Sequence, residues 1–184
     1  MNYIPTDIEG VWIIEPQRFG DARGYFMESF RLEEFRKAIR RPDITFVQDN
    51  ESQSTRGVLR GLHLQKGDSA QAKLVRVSRG CVLDVAVDLR KGSPTFGRHV
   101  KVELSQENAR QLFIPRGFAH GFVVLSDVAQ FQYKVDNTYD PSSEASLRFD
   151  DPTVGIDWQI PASELLLSPK DLKGLSLEEL TPLL

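Results

Sequence analysis

The strongest constraint on the fold is an alternation of apolar and polar side chains that runs through the middle of the chain. It is clearest in AKLVRVSRGCVLDVAVDLR (72–90), where Ser78-Arg79-Gly80 separates two runs, and it returns in RHVKVELS, ARQLFIPRGFAHGFVVLS and AQFQYKV. A period of two indicates β-strands, and the Gly, Pro, Asn and Asp residues between the runs are typical of turns. The pattern predicts a mainly β protein, a sandwich or jelly-roll barrel of antiparallel strands.

One helix interrupts the strands. In RLEEFRKAIRR (31–41), Leu32, Phe35 and Ile39 recur at helical spacing with charged side chains on the other face, which predicts a helix lying on the sheet. The C-terminal stretch LLLSPKDLKGLSLEELTPLL predicts turns and a short helix. Because 184 residues suffice for one sizeable core and no repeat or linker occurs, we expect a single domain over residues 1–184.

Charge and composition exclude several classes of protein. A net charge of −3 and a pI near 5.7 argue against a general nucleic-acid-binding protein, which has a basic surface. MNYIPTDIEG lacks the basic and apolar regions of an export signal, and no run of about 18 apolar residues occurs. We therefore expect a cytoplasmic protein without a membrane partner. A single cysteine, Cys81, excludes an intramolecular disulfide and predicts a small buried hydrophobe.

Polar side chains occur inside strands that otherwise read as buried. GVLRGLHLQ (57–65) carries Arg60 and His63, and burying a polar group without a partner costs about 2 to 7 kcal/mol. Taken alone, His63 could be satisfied by a backbone carbonyl and Arg60 could extend to water. GYFMES, FVQDN and FAHGF repeat the pattern, however, and together the four stretches predict a lined pocket. A bulge at Gly61 would bring Arg60 and His63 to the same face.

Longer stretches resemble a known family. RGYFMESF, FVQDNESQSTRGVLRGLHLQ, KLVRVSRGCVLDVAVDLRKGSPTFG, IPRGFAHGFVVLS, YKVDNTYDPSSEASLRFDDPTVGIDW and LSPKD are similar, in order, to dTDP-4-dehydrorhamnose 3,5-epimerases of the cupin superfamily. The resemblance implies a cupin-type jelly roll and a homodimer that exchanges N-terminal strand elements. It also implies conversion of dTDP-4-dehydro-6-deoxy-D-glucose to dTDP-4-dehydro-L-rhamnose, with neither a metal nor another cofactor.

The resemblance also implies four catalytic residues. The C4 ketone of the sugar acidifies the protons on C3 and C5, and His63 matches the base that removes them. Asp171 matches the partner that orients His63, although Pro169 departs from the expected pattern there. Tyr133 matches the acid that returns a proton from the opposite face, and Lys73 the cation that stabilises the enolate. From the residues alone, Tyr133 could also be a core aromatic with a satisfied hydroxyl, and only the resemblance separates this role of Lys73 from that of a surface charge.

A further set of residues matches the substrate contacts of the family. Besides Lys73, these are Arg23, Phe26, Glu28, Gln48, Asp49, Asn50, Arg60, His120, Tyr139, Glu144 and Lys170. Arg23 and Arg60 correspond to contacts with the diphosphate, whose anionic oxygens favour guanidinium groups. Arg23 would come from the second subunit if the strands are exchanged.

The other matches divide by the part of the substrate they would contact. Glu28, Gln48 and Asn50 correspond to contacts with the nucleotide and the sugar. Phe26 and Tyr139 offer stacking faces for thymine, although both could be core or interface aromatics. His120 corresponds to a contact beside the ketosugar, and Glu144 and Lys170 correspond to peripheral contacts.

Other functions stay open. A metal-dependent cupin would need two closely spaced histidines in its first motif, but HLQ supplies only His63 and the chain has three histidines in all. A nucleotide-sugar-binding module without catalysis would not need His63 and Tyr133 on opposite faces of the sugar. An epimerase that inverts only C3 or only C5 would keep the same base. Neither that choice nor the choice between dTDP and UDP can be read from the sequence.

Overall fold

The computed structural model describes residues 1–184. Its strands, in chain order, are β1 (Asn2–Pro5), β2 (Trp12–Glu15), β3 (Arg18–Asp21), β4 (Gly24–Met27), β5 (Gln48–Thr55), β6 (Leu59–Gln65), β7 (Lys73–Arg79), β8 (Cys81–Asp88), β9 (His99–Ser105), β10 (Gln111–Ile114), β11 (Phe118–Val124), β12 (Val128–Val135) and β13 (Glu144–Ser146). The α-helices are α1 (Leu32–Ile39) and α2 (Leu177–Leu180). Short 3-10 turns lie at Gly67–Ser69, Pro141–Ser143, Ala162–Glu164, Asp171–Lys173 and Thr181–Leu183.

The strands form two large sheets and one hairpin. A six-stranded sheet has the order β1-β2-β10-β7-β12-β5, a five-stranded sheet the order β13-β6-β11-β8-β9, and β3 pairs only with β4. Every pairing is antiparallel. Val75 and Phe131 of the first sheet share one core with Val82 and Phe122 of the second. The predicted antiparallel sandwich is therefore confirmed.

The outer faces of the sheets are covered by different parts of the chain. Phe35 and Ile39 of α1 pack with Leu74 and Phe113 against the six-stranded sheet, which confirms the predicted helix and its position. Burial of this apolar stripe stabilises the short helix more than its intrinsic propensity does. No helix of the structure is long and apolar enough to cross a membrane.

The C-terminal part of the chain covers the five-stranded sheet. Leu177 and Leu180 of α2 join the same apolar cluster as Leu62 and Val85 of the sheet, and Trp158 packs among them. The predicted turns and short helix at this end are confirmed. Since this segment returns across β6, it can bring side chains distant in sequence to the site described below.

A bulge interrupts the pairing of β6 with β11. His63 lies opposite His120 and Arg60 lies opposite Phe122, so two residues of β6, Gly61 and Leu62, face one residue of β11. A Cβ atom added to Gly61 would lie 2.6 Å from the Cα atom of β11 residue 121, so only glycine allows the strands to approach this closely. The bulge turns Leu62 into the apolar cluster between the five-stranded sheet and the C-terminal segment, while Arg60 and His63 line one cavity. The expected bulge is confirmed.

The β3–β4 hairpin leaves large apolar side chains uncovered. Phe19, Tyr25 and Phe26 are 57%, 59% and 71% exposed. The Arg18 guanidinium ties the hairpin to the turn after β9 by donating to the carbonyl oxygens of residues 106 and 107. It also stacks 4.4 Å from the centre of the Tyr25 ring. In the single chain, therefore, the hairpin packs only at its base and carries an apolar surface.

Candidate active site

A cavity of about 550 Å³ lies between the two large sheets. This volume is within the range that holds a small-molecule ligand. Polar side chains enter it from both sheets and from the C-terminal segment: Arg60, His63, His120, Lys73, Tyr133 and Asp171. The sheets supply these groups because β6 and β11 form one wall, while β7 and β12 form the other.

His63 and Asp171 lie side by side in this cavity. His63 Nε2 is 2.8 Å from Asp171 Oδ1, and Asp171 is 5% exposed. The oxygen lies off the direction of a good hydrogen bond, so the buried Nε2 has no well-aligned partner. Burial lowers the pKa of the His63 imidazole below its ordinary value, and the Asp171 carboxylate opposes the shift. The imidazole is therefore neutral at pH 7 and able to accept a proton.

The segment that carries Asp171 is held at both of its ends. Leu166 forms a parallel bridge with Val58, and Leu175 forms one with Leu147. Between these anchors, Asp171 Oδ1 accepts the backbone N–H of Gly61 at 3.2 Å, directly at the bulge. The return of the C-terminal segment across β6 thus places a carboxylate beside a histidine that is more than a hundred residues away in sequence.

Asp84 is a site residue that the sequence analysis missed. It is completely buried on β8, and its carboxylate oxygens lie 2.9 and 3.1 Å from His120 Nε2. Val82 and Ala86, two residues to either side, belong to the core shared by the sheets, so Asp84 also faces inward. The signal was present in the sequence as an acidic residue within the apolar run CVLDVAV. Like His63, Asp84 is a polar residue inside a strand that otherwise reads as buried.

Tyr133 and Lys73 enter the cavity from the six-stranded sheet. Burial raises the pKa of the Tyr133 phenol above its ordinary value, so the hydroxyl keeps its proton at neutral pH. Burial lowers the pKa of the Lys73 amine to about 8, against the opposing effect of the Asp84 and Glu144 carboxylates. Lys73 is thus a half-buried amine that keeps its positive charge below about pH 8, and the Tyr133 phenol carries the proton that a donor needs.

Glu144, on β13, holds two polar side chains near His63. Its carboxylate accepts from Lys170 Nζ at 2.6 Å and from the Tyr139 hydroxyl at 3.0 Å. Burial disfavours its charge, but these hydrogen bonds outweigh burial and lower the pKa of Glu144. The three residues therefore form a connected group beside the cavity, although Tyr139 is largely exposed.

The structure contains no cluster of side chains suited to bind a metal ion. No group of three or more His, Cys, Asp or Glu side chains is arranged to hold one. The remaining sulfur ligand, Cys81, is half-buried at the start of β8, and burial raises the pKa of its thiol to about 11.

Comparisons with known proteins agree with this geometry. The family model described as dTDP-4-dehydrorhamnose 3,5-epimerase matches residues 5–179. The chain belongs to this family. The dTDP-4-dehydrorhamnose 3,5-epimerase of Escherichia coli strain K12 is 53% identical over 180 residues, which cover 98% of this chain and 96% of that one.

A solved relative extends the likeness to the fold. The dTDP-6-deoxy-D-glucose-3,5-epimerase of Legionella pneumophila Philadelphia 1, in complex with dTDP-4-keto-L-rhamnose, superposes with a TM-score of 0.92 at 50% identity, covering 96% of this chain and 93% of that one. A dTDP-4-dehydrorhamnose 3-epimerase from Streptomyces niveus is 42% identical over 179 residues, or 97% of this chain and 85% of that one. The predicted cupin-type jelly roll is confirmed, and the protein is a carbohydrate epimerase.

Three adjacent positions predicted from the family, residues 48 to 50, do not line this cavity in the epimerase chain. Gln48 and Asn50 lie on the less exposed face of β5 and hydrogen-bond to each other at 2.9 Å. Asp49 points to the opposite face, because neighbouring side chains of a strand alternate, and it pairs with Lys134 at 2.9 Å. Asp49 therefore does not line this cavity of its own chain, and its role as a substrate contact stays a prediction.

The predicted contacts from the N-terminal region also lie away from the cavity. Arg23 sits at the tip of the β3–β4 hairpin, where its 90% exposed side chain pairs with Asp21. Phe26 projects from the same hairpin, and Glu28 pairs with Arg31 at the start of α1. None of the three lines the cavity of its own chain.

Proposed function

We propose that the protein inverts both C3 and C5 of dTDP-4-dehydro-6-deoxy-D-glucose and so forms dTDP-4-dehydro-L-rhamnose. The observation that carries this proposal is the placement of His63 and Tyr133, which line one cavity from opposite sheets. Inversion needs a base on one face of the carbon and an acid on the other. A module that only binds a nucleotide sugar has no use for that arrangement.

The proposed chemistry uses protein side chains alone. His63 accepts the proton from the carbon next to the C4 ketone, and the electron pair of the broken C–H bond moves into an enolate with its charge on the C4 oxygen. Lys73, half-buried and cationic, stabilises that oxygen where charge develops. Tyr133 then gives its proton to the carbon from the opposite wall, which leaves the centre inverted. The same enolate chemistry serves C3 and C5 because the ketone lies between them.

Double inversion is favoured over inversion at one carbon. The Escherichia coli relative is named a 3,5-epimerase and is 53% identical, whereas the Streptomyces niveus relative is named a 3-epimerase and is 42% identical. This comparison is the support for assigning both carbons, since the base and the acid are required in either case.

We further propose that the working unit is a homodimer in which the β3–β4 hairpin of each subunit reaches the other's cavity. The hairpin carries Arg23, a suitable partner for a diphosphate, and Phe26, a suitable stacking face for thymine. Both are exposed and neither lines the cavity of its own chain. A second copy supplies a cavity for these groups and a cover for the apolar hairpin.

The experiment is product analysis by NMR in deuterated water with dTDP-4-dehydro-6-deoxy-D-glucose as substrate. We expect deuterium and inverted configuration at both C3 and C5, and undiminished activity after treatment with EDTA. His63→Ala should slow exchange at both carbons by about 10²- to 10⁴-fold. His99→Ala, which changes a histidine on β9 outside the cavity, is the matched control and should leave exchange unchanged.

Each alternative has its own result in this experiment. Binding of the nucleotide sugar without exchange would identify a binding module. Exchange and inversion at one carbon only would identify a single epimerase, and loss of activity with EDTA would identify a metal-dependent one. Normal exchange in His63→Ala would remove His63 as the base.

A further inference from the structure

The carboxylate of Asp171 is held by a closed turn that begins three residues earlier. Ser168 Oγ donates to Asp171 Oδ2 at 2.6 Å, and the Ser168 backbone N–H donates to the same oxygen at 3.3 Å. In return, the Asp171 backbone N–H donates to Ser168 Oγ at 3.2 Å. Reciprocal bonds of this kind define a capping box, and Pro169 occupies the first position of the turn, where no N–H is needed.

The two oxygens of the Asp171 carboxylate have different partners. Oδ2 receives both donors from Ser168, whereas Oδ1 faces the Gly61 N–H and His63. An unbound carboxylate can rotate about its terminal torsion, for which preferences are broad. With Oδ2 occupied, that rotation is blocked, and Oδ1 stays against the imidazole.

The same motif occurs once more, away from the cavity. Ser176 Oγ accepts the Glu179 backbone N–H at 3.2 Å, and the Glu179 carboxylate accepts the Ser176 N–H at 2.9 Å and its hydroxyl at 2.8 Å. There the carboxylate only caps the N-terminus of α2. At Ser168 the carboxylate of the motif also lies beside His63, so the motif there has a second consequence besides local stability.

We propose that Ser168 is a positioning residue for catalysis, which acts by holding the Asp171 carboxylate against His63. The inference rests on the proposed role of His63 as the base. Ser168 lines the same cavity as His63 and Asp171, but its hydroxyl is committed to Asp171. Its contribution is to the orientation of the imidazole and to the stabilisation of the imidazolium that forms when His63 accepts a proton.

The charges around His63 determine how its titration responds. Asp171 and Lys170 face it from the C-terminal segment, Glu144 from β13 and Lys73 from β7, while His120 lies opposite on β11. The carboxylates favour the imidazolium; burial and the two lysines disfavour it. If the Asp171 carboxylate moves away from His63, it no longer opposes the effects of burial and of the two lysines on the imidazolium. The pKa of His63 then falls further.

The test compares Ser168→Ala with Ser176→Ala. We expect Ser168→Ala to lower kcat by about 10- to 100-fold, the scale of a misplaced catalytic group, with KM changed less than about threefold. The acidic limb of kcat/KM and the NMR titration of His63 should both move to lower pH. Ser168→Thr, which keeps the hydroxyl, should restore them. Ser176→Ala removes an equivalent capping hydroxyl and should change only stability.

A double-mutant cycle that combines Ser168→Ala with Asp171→Asn shows whether Ser168 acts through Asp171. In the Asp171→Asn background, Ser168→Ala should cause no further loss of kcat. An equal loss in both backgrounds, an unshifted His63 titration, or the same kinetic changes in Ser176→Ala would overturn the inference. Normal exchange in His63→Ala, by contrast, would remove His63 as the base, the part of the proposed function on which the inference rests, so the two failures are distinguishable.

Discussion

At the scale of the residue, the site depends on polar groups whose proton affinities are set by burial. His63, Lys73 and Tyr133 are each shifted in the direction that burial dictates, towards the uncharged form. A neutral imidazole and a protonated phenol are the forms that a base and an acid need. The environment therefore supports the proposed roles of these groups, in addition to their chemical identity.

Tyr133→Phe should separate proton removal from proton return. The ring still packs beside Phe131, where the ring centres are 6.1 Å apart, and only the hydroxyl is lost. Because His63 can take a proton and give it back on its own face, deuterium should still enter the sugar. Net inversion, most sharply at C5, should fall by about 10²-fold or more. NMR in deuterated water measures both quantities. Inversion of C5 at the normal rate would show that another acid protonates the enolate.

The pH dependence of kcat/KM should reflect His63 on the acidic side and Lys73 on the alkaline side. His63 must be neutral, and its lowered pKa puts the acidic limb below the ordinary histidine value of about 6.5. Lys73 must be charged, so activity should decline as the pH rises through about 8. Lys73→Arg keeps its charge at all these pH values. The pH profile of Lys73→Arg should therefore lack the decline in kcat/KM near pH 8, although its maximum kcat/KM is lower than that of the wild type. A decline that persists near pH 8 in this variant would belong to another group.

At the scale of the element, the bulge in β6 decides which side chains share the cavity. Without it, strict alternation would put Arg60 and His63 on opposite faces. The two strands approach so closely at this point that a Cβ atom on Gly121 would lie 2.6 Å from the Arg60 carbonyl oxygen. Gly121 has no positive φ, so contact with β6 alone excludes larger residues there.

Gly121→Ala should therefore damage stability and activity together. The added methyl must push β11 from β6, and overpacking of this kind costs about 1 to 3 kcal/mol in the free energy of unfolding. His63 and His120, which lie opposite each other across these strands, should lose their alignment, and kcat/KM should fall. Gly20→Ala is the control for the free energy of unfolding alone, since its Cβ would be 3.6 Å from the nearest atom. Urea unfolding and steady-state kinetics measure the effects; a stable, fully active Gly121→Ala would contradict this account of the bulge.

At the scale of the whole molecule, the site of one chain lacks the groups carried by its own hairpin. If a partner supplies them, Arg23→Ala should lower kcat/KM by about 10-fold or more through lost diphosphate binding. A dimer of one Arg23→Ala subunit and one His63→Ala subunit should then contain one intact site, built from the unchanged His63 and the unchanged Arg23.

Mixing the two variants after unfolding and refolding tests this arrangement. Random pairing should restore about one quarter of the wild-type sites, because half of the dimers are mixed and each has one intact site. Activity at low substrate concentration measures the recovery. If Arg23 serves the cavity of its own chain, the mixture should show only the average of the separate variants.

The sequence by itself determined the features that arise from local periodicity. The alternation in residues 72–135 predicted antiparallel strands, and the spacing of Leu32, Phe35 and Ile39 predicted the helix on the sheet. Polar residues within GVLRGLHLQ and FAHGF predicted the lined cavity, whereas GYFMES and FVQDN do not line it, and Gly61 predicted its bulge. These inferences succeed because the patterns record which face of an element is buried. The roles of His63 and Tyr133 came from the family resemblance and stay predictions.

Only the tertiary structure decided which of these groups meet. It paired Asp84 with His120 and Asp171 with His63, and it turned Asp49 away from the cavity. Contacts of this kind join residues that are far apart in the chain. They depend on strand register and on the path of the C-terminal segment across β6. Local sequence patterns carry no information about the distance between two side chains that are far apart in the chain. The packed core brings such side chains to within hydrogen-bonding distance.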